Sequence, residues 1–165
     1  MTDSTNGLDK LRELIADIHV AFVTTVAPDG SLHTRPMATQ ELQEDGTLWF
    51  ATSRSSGKVA EVDHEHHVNI AYSDAGSDRY VSVSGLATVV EDDAKARDLW
   101  SPMMRAWFSG PEDPDLVLLR VVVESAEYWE AKYGRGVQLL AIAATAVTGR
   151  GFDATRNERL DLGID

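Results

Sequence analysis

Two neighbouring segments, LHTRPMATQ at residues 32–40 and WFATSRSSGK at residues 49–58, decide the fold prediction. The first is an extended run broken by Pro36, which cannot donate a hydrogen bond to a neighbouring strand and so marks an edge or a break. The second is a strand that leads into a short helix at residues 55–66, whose first turn leaves backbone N–H groups free. We therefore predict a ligand site where this strand meets this helix.

The polar side chains of the two segments suit a phosphate monoester. Arg35 offers a bidentate guanidinium and Lys58 a compact ammonium. Thr52 and Ser56 add hydroxyl groups, and the start of a helix favours an anion. The alternative is an ordinary turn with a surface lysine and an arginine paired to a nearby acid.

Outside these segments, β-branched and apolar runs alternate with turn residues over most of the chain. The predicted strands are 19–26, 31–38, 47–53, 67–74, 79–92 and 116–132, and the predicted helices are 8–18, 55–66, 92–109 with a kink or restart at Pro102, and 136–149. Residues 150–165 form a polar tail with room for one short strand. This order lacks the strict strand–helix alternation of a parallel sheet, so we predict one domain over residues 1–165, an antiparallel barrel with peripheral helices.

Composition excludes several function classes. The 165 residues contain no cysteine, which removes thiolate nucleophiles, Fe–S clusters and cysteine zinc sites. Lys and Arg number 15 against 27 Asp and Glu, a net charge of −12 that disfavours nucleic acid and anionic membrane surfaces as partners. The longest apolar run, residues 139–147, is too short to span a bilayer, and no signal-peptide pattern opens the chain, so we expect a cytoplasmic protein.

Two further clusters have simple structural explanations. DHEHH at residues 63–67 contains metal-ligand residue types, but a polar helix end is usually a solvated surface, so we predict no metal site. Trp100, Trp107 and Phe108 lie at near-helical spacing, which is typical of core or dimer contacts, with a lid over a cofactor as the alternative. The fingerprints GxSxG, P-loop and GxGxxG are missing from the sequence, so hydrolase and nucleotide-triphosphatase functions have no support.

Four motifs in order resemble the flavin-binding split barrels related to pyridoxamine 5′-phosphate oxidase, and within them the general stress proteins. They are the phosphate motif FATSRSSGK (50–58), the core strand RYVSVSG (79–85), the insert LWSPMMRAWFSGPEDP (99–114) and the late strand AEYWEAK (126–132). The resemblance covers about residues 11–132. It implies a mainly β fold, a six-stranded antiparallel split β-barrel with flanking helices, that forms a homodimer with two FMN sites at the interface.

The resemblance also implies which residues contact FMN. They are Arg35, Pro36, Met37, Ala51, Thr52, Ser56, Lys58, Tyr80 and Trp129. Trp107 of the insert is a further candidate, as an aromatic residue that could fill one face of the ring. Arg35 and Lys58 would hold the phosphate with help from Thr52 and Ser56, while Pro36, Met37 and Ala51 would line the flavin through their backbone. Tyr80 matches a position that contacts the cofactor of the partner subunit, and Trp129 matches a tryptophan beside the ring system.

The function implied is a flavin-dependent oxidoreductase or flavin reductase of the stress-response type, in which the cofactor supplies the redox chemistry. No catalytic residue is predicted. Residues 130–140, EAKYGRGVQLL, lack the Arg and His–Asp–Arg run with which the oxidase grips its substrate, so pyridoxamine phosphate is not the expected substrate. Two alternatives stay open: a non-catalytic flavin storage or sensor module, and the same fold binding FAD, deazaflavin F420 or haem.

Overall fold

The computed structural model describes residues 4–149, 153 and 155–162. Seven strands and four α-helices account for most of this range. The strands are β1 (Val20–Val26), β2 (Leu32–Ala38), β3 (Thr47–Ser53), β4 (His67–Asp74), β5 (Arg79–Val90), β6 (Leu116–Ala131) and β7 (Thr155–Leu160). The helices are α1 (Ser4–Ile15), α2 (Gly57–His64), α3 (Asp93–Leu99) and α4 (Arg135–Thr148), with a 3₁₀-helix at Pro102–Ala106. None of the described helices is long and apolar enough to cross a bilayer.

The strands form one antiparallel sheet in the order β2-β1-β4-β5-β6-β3, and β7 pairs with β6. The two ends of this order, β2 and β3, lie side by side without pairing, so the closed sheet is split between them. The prediction of a mainly β, antiparallel split barrel with flanking helices is confirmed. The strand count differs from the predicted six, because β7 in the polar tail adds a seventh strand.

The longest strand, β6, holds the barrel together. Its first half pairs with β3 and its second half with β7, while β5 pairs along most of its length. Leu119 and Val121 point into the barrel core, whereas Leu116 and Leu118 pack under the segment that connects β5 to β6. The first half of β6 is therefore buried on both faces, which explains why seven of the eight residues at 116–123 are aliphatic, with Arg120 as the exception.

The segment between β5 and β6 folds as predicted into two helical pieces. Asp92 caps α3 by accepting a hydrogen bond from the backbone N–H of Lys95 (2.9 Å). The chain leaves the helix at Trp100 and restarts at Pro102, the first residue of the 3₁₀-helix, because proline lacks the N–H that a continuing helix needs. Ala96, Met104 and Phe108 cover the outer face of β6.

The N-terminal helix differs from its predicted bounds of 8–18. It begins at Ser4 and ends at Ile15, after which Ile18 reaches the core from a turn closed by its N–H bond to the Ile15 carbonyl (3.0 Å). The spacing of Ile18 fits a helix equally well, so periodicity cannot separate the two. At the other end, Leu162 is buried in the same core. Residues 150–152, 154 and 163–165 of the predicted tail lie outside the described residues.

Candidate cofactor site

A cavity of about 510 Å³ lies at the split between β2 and β3 and is walled by the insert before β6. Its size is typical of small-molecule sites. The residues that line it are Pro36, Met37, Ala38, Gln40, Ala51, Thr52, Ser53, Ser56, Lys58, Ser101, Met103, Met104, Trp107 and Phe108. The structure thus brings together seven of the ten residues predicted at the cofactor: Pro36, Met37, Ala51, Thr52, Ser56, Lys58 and Trp107.

Lys58 forms the polar end of the cavity. Its ammonium donates hydrogen bonds to Thr52 Oγ1 and Ser56 Oγ, both at 2.9 Å, and it stands in the first turn of α2. Burial and the neighbouring positive charge of Arg35 lower the pKa of Lys58. An ammonium has three donors, so one remains for an anionic ligand.

Arg35 does not line the cavity, because a buried acid holds it. Its Nη1 and Nη2 donate to the two carboxylate oxygens of Glu61 at 2.8 and 3.0 Å, and Nη1 also donates to Thr25 Oγ1 at 3.0 Å. The guanidinium lies beside the start of α2, where a Cβ on Gly57 would stand 3.5 Å from Nη2. The sequence allowed Arg35 either to bind a ligand phosphate or to pair with a nearby acid. In the structure Arg35 pairs with an acid.

Glu61 is the residue that sequence reasoning missed. Only 7% of it is exposed, and Arg35, Thr25 and His33 all bond to its carboxylate, which lowers its pKa to about 2. The β1–β2 hairpin contained a signal for this residue. His33 and Arg35 lie on the same face of β2, and Thr25 of β1 pairs with His33. A polar row on the inner side of a hairpin requires a buried partner of opposite charge.

The remaining predicted residues lie outside the cavity. Tyr80 on β5 and Trp129 on β6 are direct cross-strand partners, and Tyr80 is 41% exposed. Neither lines the cavity of the same chain, so their cofactor roles stay predictions that require a second subunit. Among the aromatic residues of the insert, Phe108 is buried while Trp107 is 70% exposed at the cavity mouth.

Acid should weaken the fold through Glu61. Because its folded-state pKa lies below the usual 4.5, its stabilisation is complete above that pH and is lost as the pH falls toward about 2. We expect the free energy of unfolding to drop between about pH 6 and about pH 3 by about 2 kcal/mol more in the wild type than in Glu61→Gln. Urea titrations at the two pH values measure this difference. Equal drops in both proteins would contradict the assignment, since the other carboxyl groups titrate in both.

Comparison with known proteins decides the family. The family model for proteins described as pyridoxamine 5′-phosphate oxidase like matches residues 6–153. The chain belongs to this family. The resemblance drawn from the four sequence motifs is thereby confirmed.

The chain is similar to general stress proteins and to a fungal protein. General stress protein 26 of Bacillus subtilis is 30% identical over 122 residues, which cover 71% of this chain and 84% of the relative. Protein bli-3 of Neurospora crassa is 30% identical over 139 residues, covering 78% of this chain but just under two thirds (66%) of the relative. The crystal structure of the general stress FMN/FAD binding protein from Xanthomonas citri matches with a TM-score of 0.67 and 29% identity, covering 78% of this chain and 92% of that protein.

Proposed function

We propose that the chain binds a flavin, FMN in particular, in the cavity between β2 and β3. One observation carries this proposal: an ammonium held by two hydroxyl groups stands at the start of a helix, at the polar end of a largely apolar cavity. A phosphate suits the polar end, and a flat ring system suits walls of proline, methionine and aromatic side chains. The similarity to a protein described as FMN/FAD binding supports the same ligand class.

Within this proposal, the residues present fit the cofactor. Lys58, Thr52 and Ser56 would hold the phosphate, and Arg35 would add its charge from beside the helix start. The backbone of β2 at Met37 and the backbone of β3 at Ala51 would flank the ring. The ring would then lie in the split, where β2 and β3 are not hydrogen-bonded to each other. Met103 and Trp107 of the insert would cover the opposite wall.

Titration of the purified chain with FMN, FAD and riboflavin tests the proposal, with flavin fluorescence and calorimetry as readouts. We expect FMN to bind with micromolar or tighter affinity and more tightly than riboflavin, because only FMN carries the phosphate monoester. The absorption spectrum of protein as purified separates flavin from deazaflavin or haem. Absence of both heat and quenching with FMN and FAD at physiological salt would refute flavin binding.

We further propose that the bound protein is a flavin-dependent oxidoreductase of the general stress type. A flavin supplies hydride and electron transfer when bound, and the protein contributes its position and surroundings. The lining side chains support this division, because they comprise hydroxyl, thioether, amide, aromatic and aliphatic groups with a single cation, Lys58. Non-catalytic storage or sensing is the second candidate, and it is favoured by Trp107 and Met103 at the mouth, where they can close the cavity against a substrate.

Anaerobic stopped-flow absorbance separates these two functions. We expect NADH or NADPH to reduce the flavin-loaded wild type, and to reduce Trp107→Ala severalfold faster because removal of the indole widens the mouth. Trp100→Ala is the control, since Trp100 packs in the insert without lining the cavity. Reduction of the Trp107 variant alone would favour storage or sensing, and reduction of neither protein would contradict the oxidoreductase.

The proposal includes a homodimer, supported by an apolar outer face of the sheet. Val20, Phe22 and Tyr80 lie at the same end of this face and are each more than a third exposed. Exposed apolar side chains clustered in this way mark an interaction surface. Tyr80 and Trp129, which lie outside the cavity of their own chain, could then meet a cofactor of the second subunit.

Light scattering tests this interface. We expect the wild type to be dimeric and Phe22→Glu to be largely monomeric, because a carboxylate on the face would be buried without a partner. Leu139→Glu is the matched control, since Leu139 is an exposed apolar residue on α4 rather than on the sheet. Dissociation by Leu139→Glu with an unaffected Phe22 variant would place the interface at α4 instead.

A further inference from the structure

The carboxylate of Glu61 is saturated by the side chains of three strand residues. Its Oε1 accepts from Arg35 Nη2 at 3.0 Å and from His33 Nδ1 at 2.7 Å. Its Oε2 accepts from Arg35 Nη1 at 2.8 Å and from Thr25 Oγ1 at 2.5 Å. Both oxygens of the fork are thus engaged, so the guanidinium plane is fixed relative to α2 by two parallel hydrogen bonds rather than by one.

This fork determines where the positive charge of Arg35 lies. Glu61 is one turn after Gly57 and Lys58 on α2, so the helix that presents the lysine also carries the acid that holds the arginine. The guanidinium comes to rest against Gly57, and it is close enough to Lys58 to lower the pKa of that residue by its charge. Two cations on different elements are thereby brought to the same helix start.

We propose that Glu61 is the positioning residue of the phosphate subsite: it holds the Arg35 guanidinium at the start of α2, where Arg35 and Lys58 together select a ligand with a phosphate monoester. This inference rests on the proposed flavin function. Glu61 accepts two of the guanidinium's hydrogen bonds and Thr25 a third, while Nε and the remaining hydrogen of Nη2 are left for the ligand. It acts through Arg35 and does not line the cavity itself.

The direction in which Glu61→Gln changes the affinity for an anion distinguishes a positioning role of Glu61 from a simple effect of its charge. Arg35 and Lys58 contribute two positive charges and Glu61 one negative charge, so removal of the acid makes the subsite more positive. If charge alone governed binding, Glu61→Gln would strengthen the binding of an anion. If the position of the Arg35 guanidinium governs binding, Glu61→Gln weakens the binding of the anion, because the two parallel hydrogen bonds between Glu61 and Arg35 are lost.

The test measures the affinities of FMN and riboflavin for the wild type, Glu61→Gln, Arg35→Ala and the double variant. We expect Glu61→Gln to weaken the affinity for FMN by about tenfold and to leave the affinity for riboflavin unchanged, because one charge-assisted contact to the phosphate is misplaced. In the Arg35→Ala background the same substitution should have no further effect, since Glu61 acts through that arginine. Glu65→Gln, at the exposed C-terminal end of α2, is the matched control.

Each other outcome has a definite meaning. Unchanged or tighter FMN binding by Glu61→Gln overturns the inference, as does an equal loss for FMN and riboflavin, which indicates a purely structural role. If Glu61→Gln does not fold, the isosteric Thr25→Val removes the hydroxyl that bonds both Glu61 and Arg35, and a loss specific to FMN is again expected. If the wild type itself binds no FMN, the proposed function fails and this inference falls with it, whereas an insensitive Glu61 variant of a binding wild type refutes this inference alone.

Discussion

Lys58→Ala is expected to weaken FMN binding by about 10- to 100-fold while leaving riboflavin binding nearly unchanged. The ammonium is half-buried and already oriented by Thr52 and Ser56, so a phosphate would meet it in a fixed position without further ordering of the side chain. Riboflavin differs from FMN only in lacking the phosphate, and so reports on the ring-binding walls of the cavity. Fluorescence titration of both ligands gives the ratio of affinities.

Two controls make the Lys58 result specific. Lys58→Arg should recover little affinity, because a planar guanidinium is wider than an ammonium and does not fit the compact position between the two hydroxyl groups. Lys10→Ala removes the same charge from α1, where Lys10 pairs with Glu13, and should leave both affinities unchanged. Equal losses of affinity for FMN and riboflavin in Lys58→Ala would show that the phosphate does not bind at Lys58.

Gly85→Ala is expected to destabilise the fold by about 3 kcal/mol, the upper end of the range for overpacking in a core. A Cβ at Gly85 would stand 2.4 Å from the backbone carbonyl oxygen of Val122 and 2.9 Å from Val121 Cγ1. The nearest of these atoms belongs to the backbone of β6 at Val122, which also pairs with Thr47 of β3, so it cannot move without disturbing that pairing. Urea unfolding measures the change.

The Gly85 effect follows from the bulge in the β5–β6 pairing. Ser84 pairs with Ser125 while Gly85 pairs with Val123, so β6 carries one extra residue at this point and its backbone approaches Gly85. Gly110→Ala is the matched control, because a Cβ there has nothing within 4 Å and the change should stay within about 0.5 kcal/mol. Similar unfolding free energies for the two variants would show that β5 and β6 can separate at the bulge at little cost.

Local patterns in the sequence determined the elements and the polar end of the cavity. Runs of β-branched and apolar residues between turn residues predicted β1 to β6, and the strand–turn–helix junction predicted that Lys58 would meet Thr52 and Ser56. These features span only a few residues, so backbone geometry and side-chain periodicity fix them. The close contact between Gly85 and Val122 at the bulge involves two strands that are distant in sequence, so such local patterns do not report it.

Only the tertiary structure decided what covers each face and which distant groups meet. The strand β7, TRNERL, carries no apolar alternation, and it forms because the second half of β6 offers an open edge. The fork between Arg35 and Glu61 joins residues 26 positions apart, and the acid's own segment gives no indication that it is buried. Periodicity reports which side of an element is apolar, but the burial of a charge depends on the partner that packing brings to it, and that partner is set by the closure of the whole barrel.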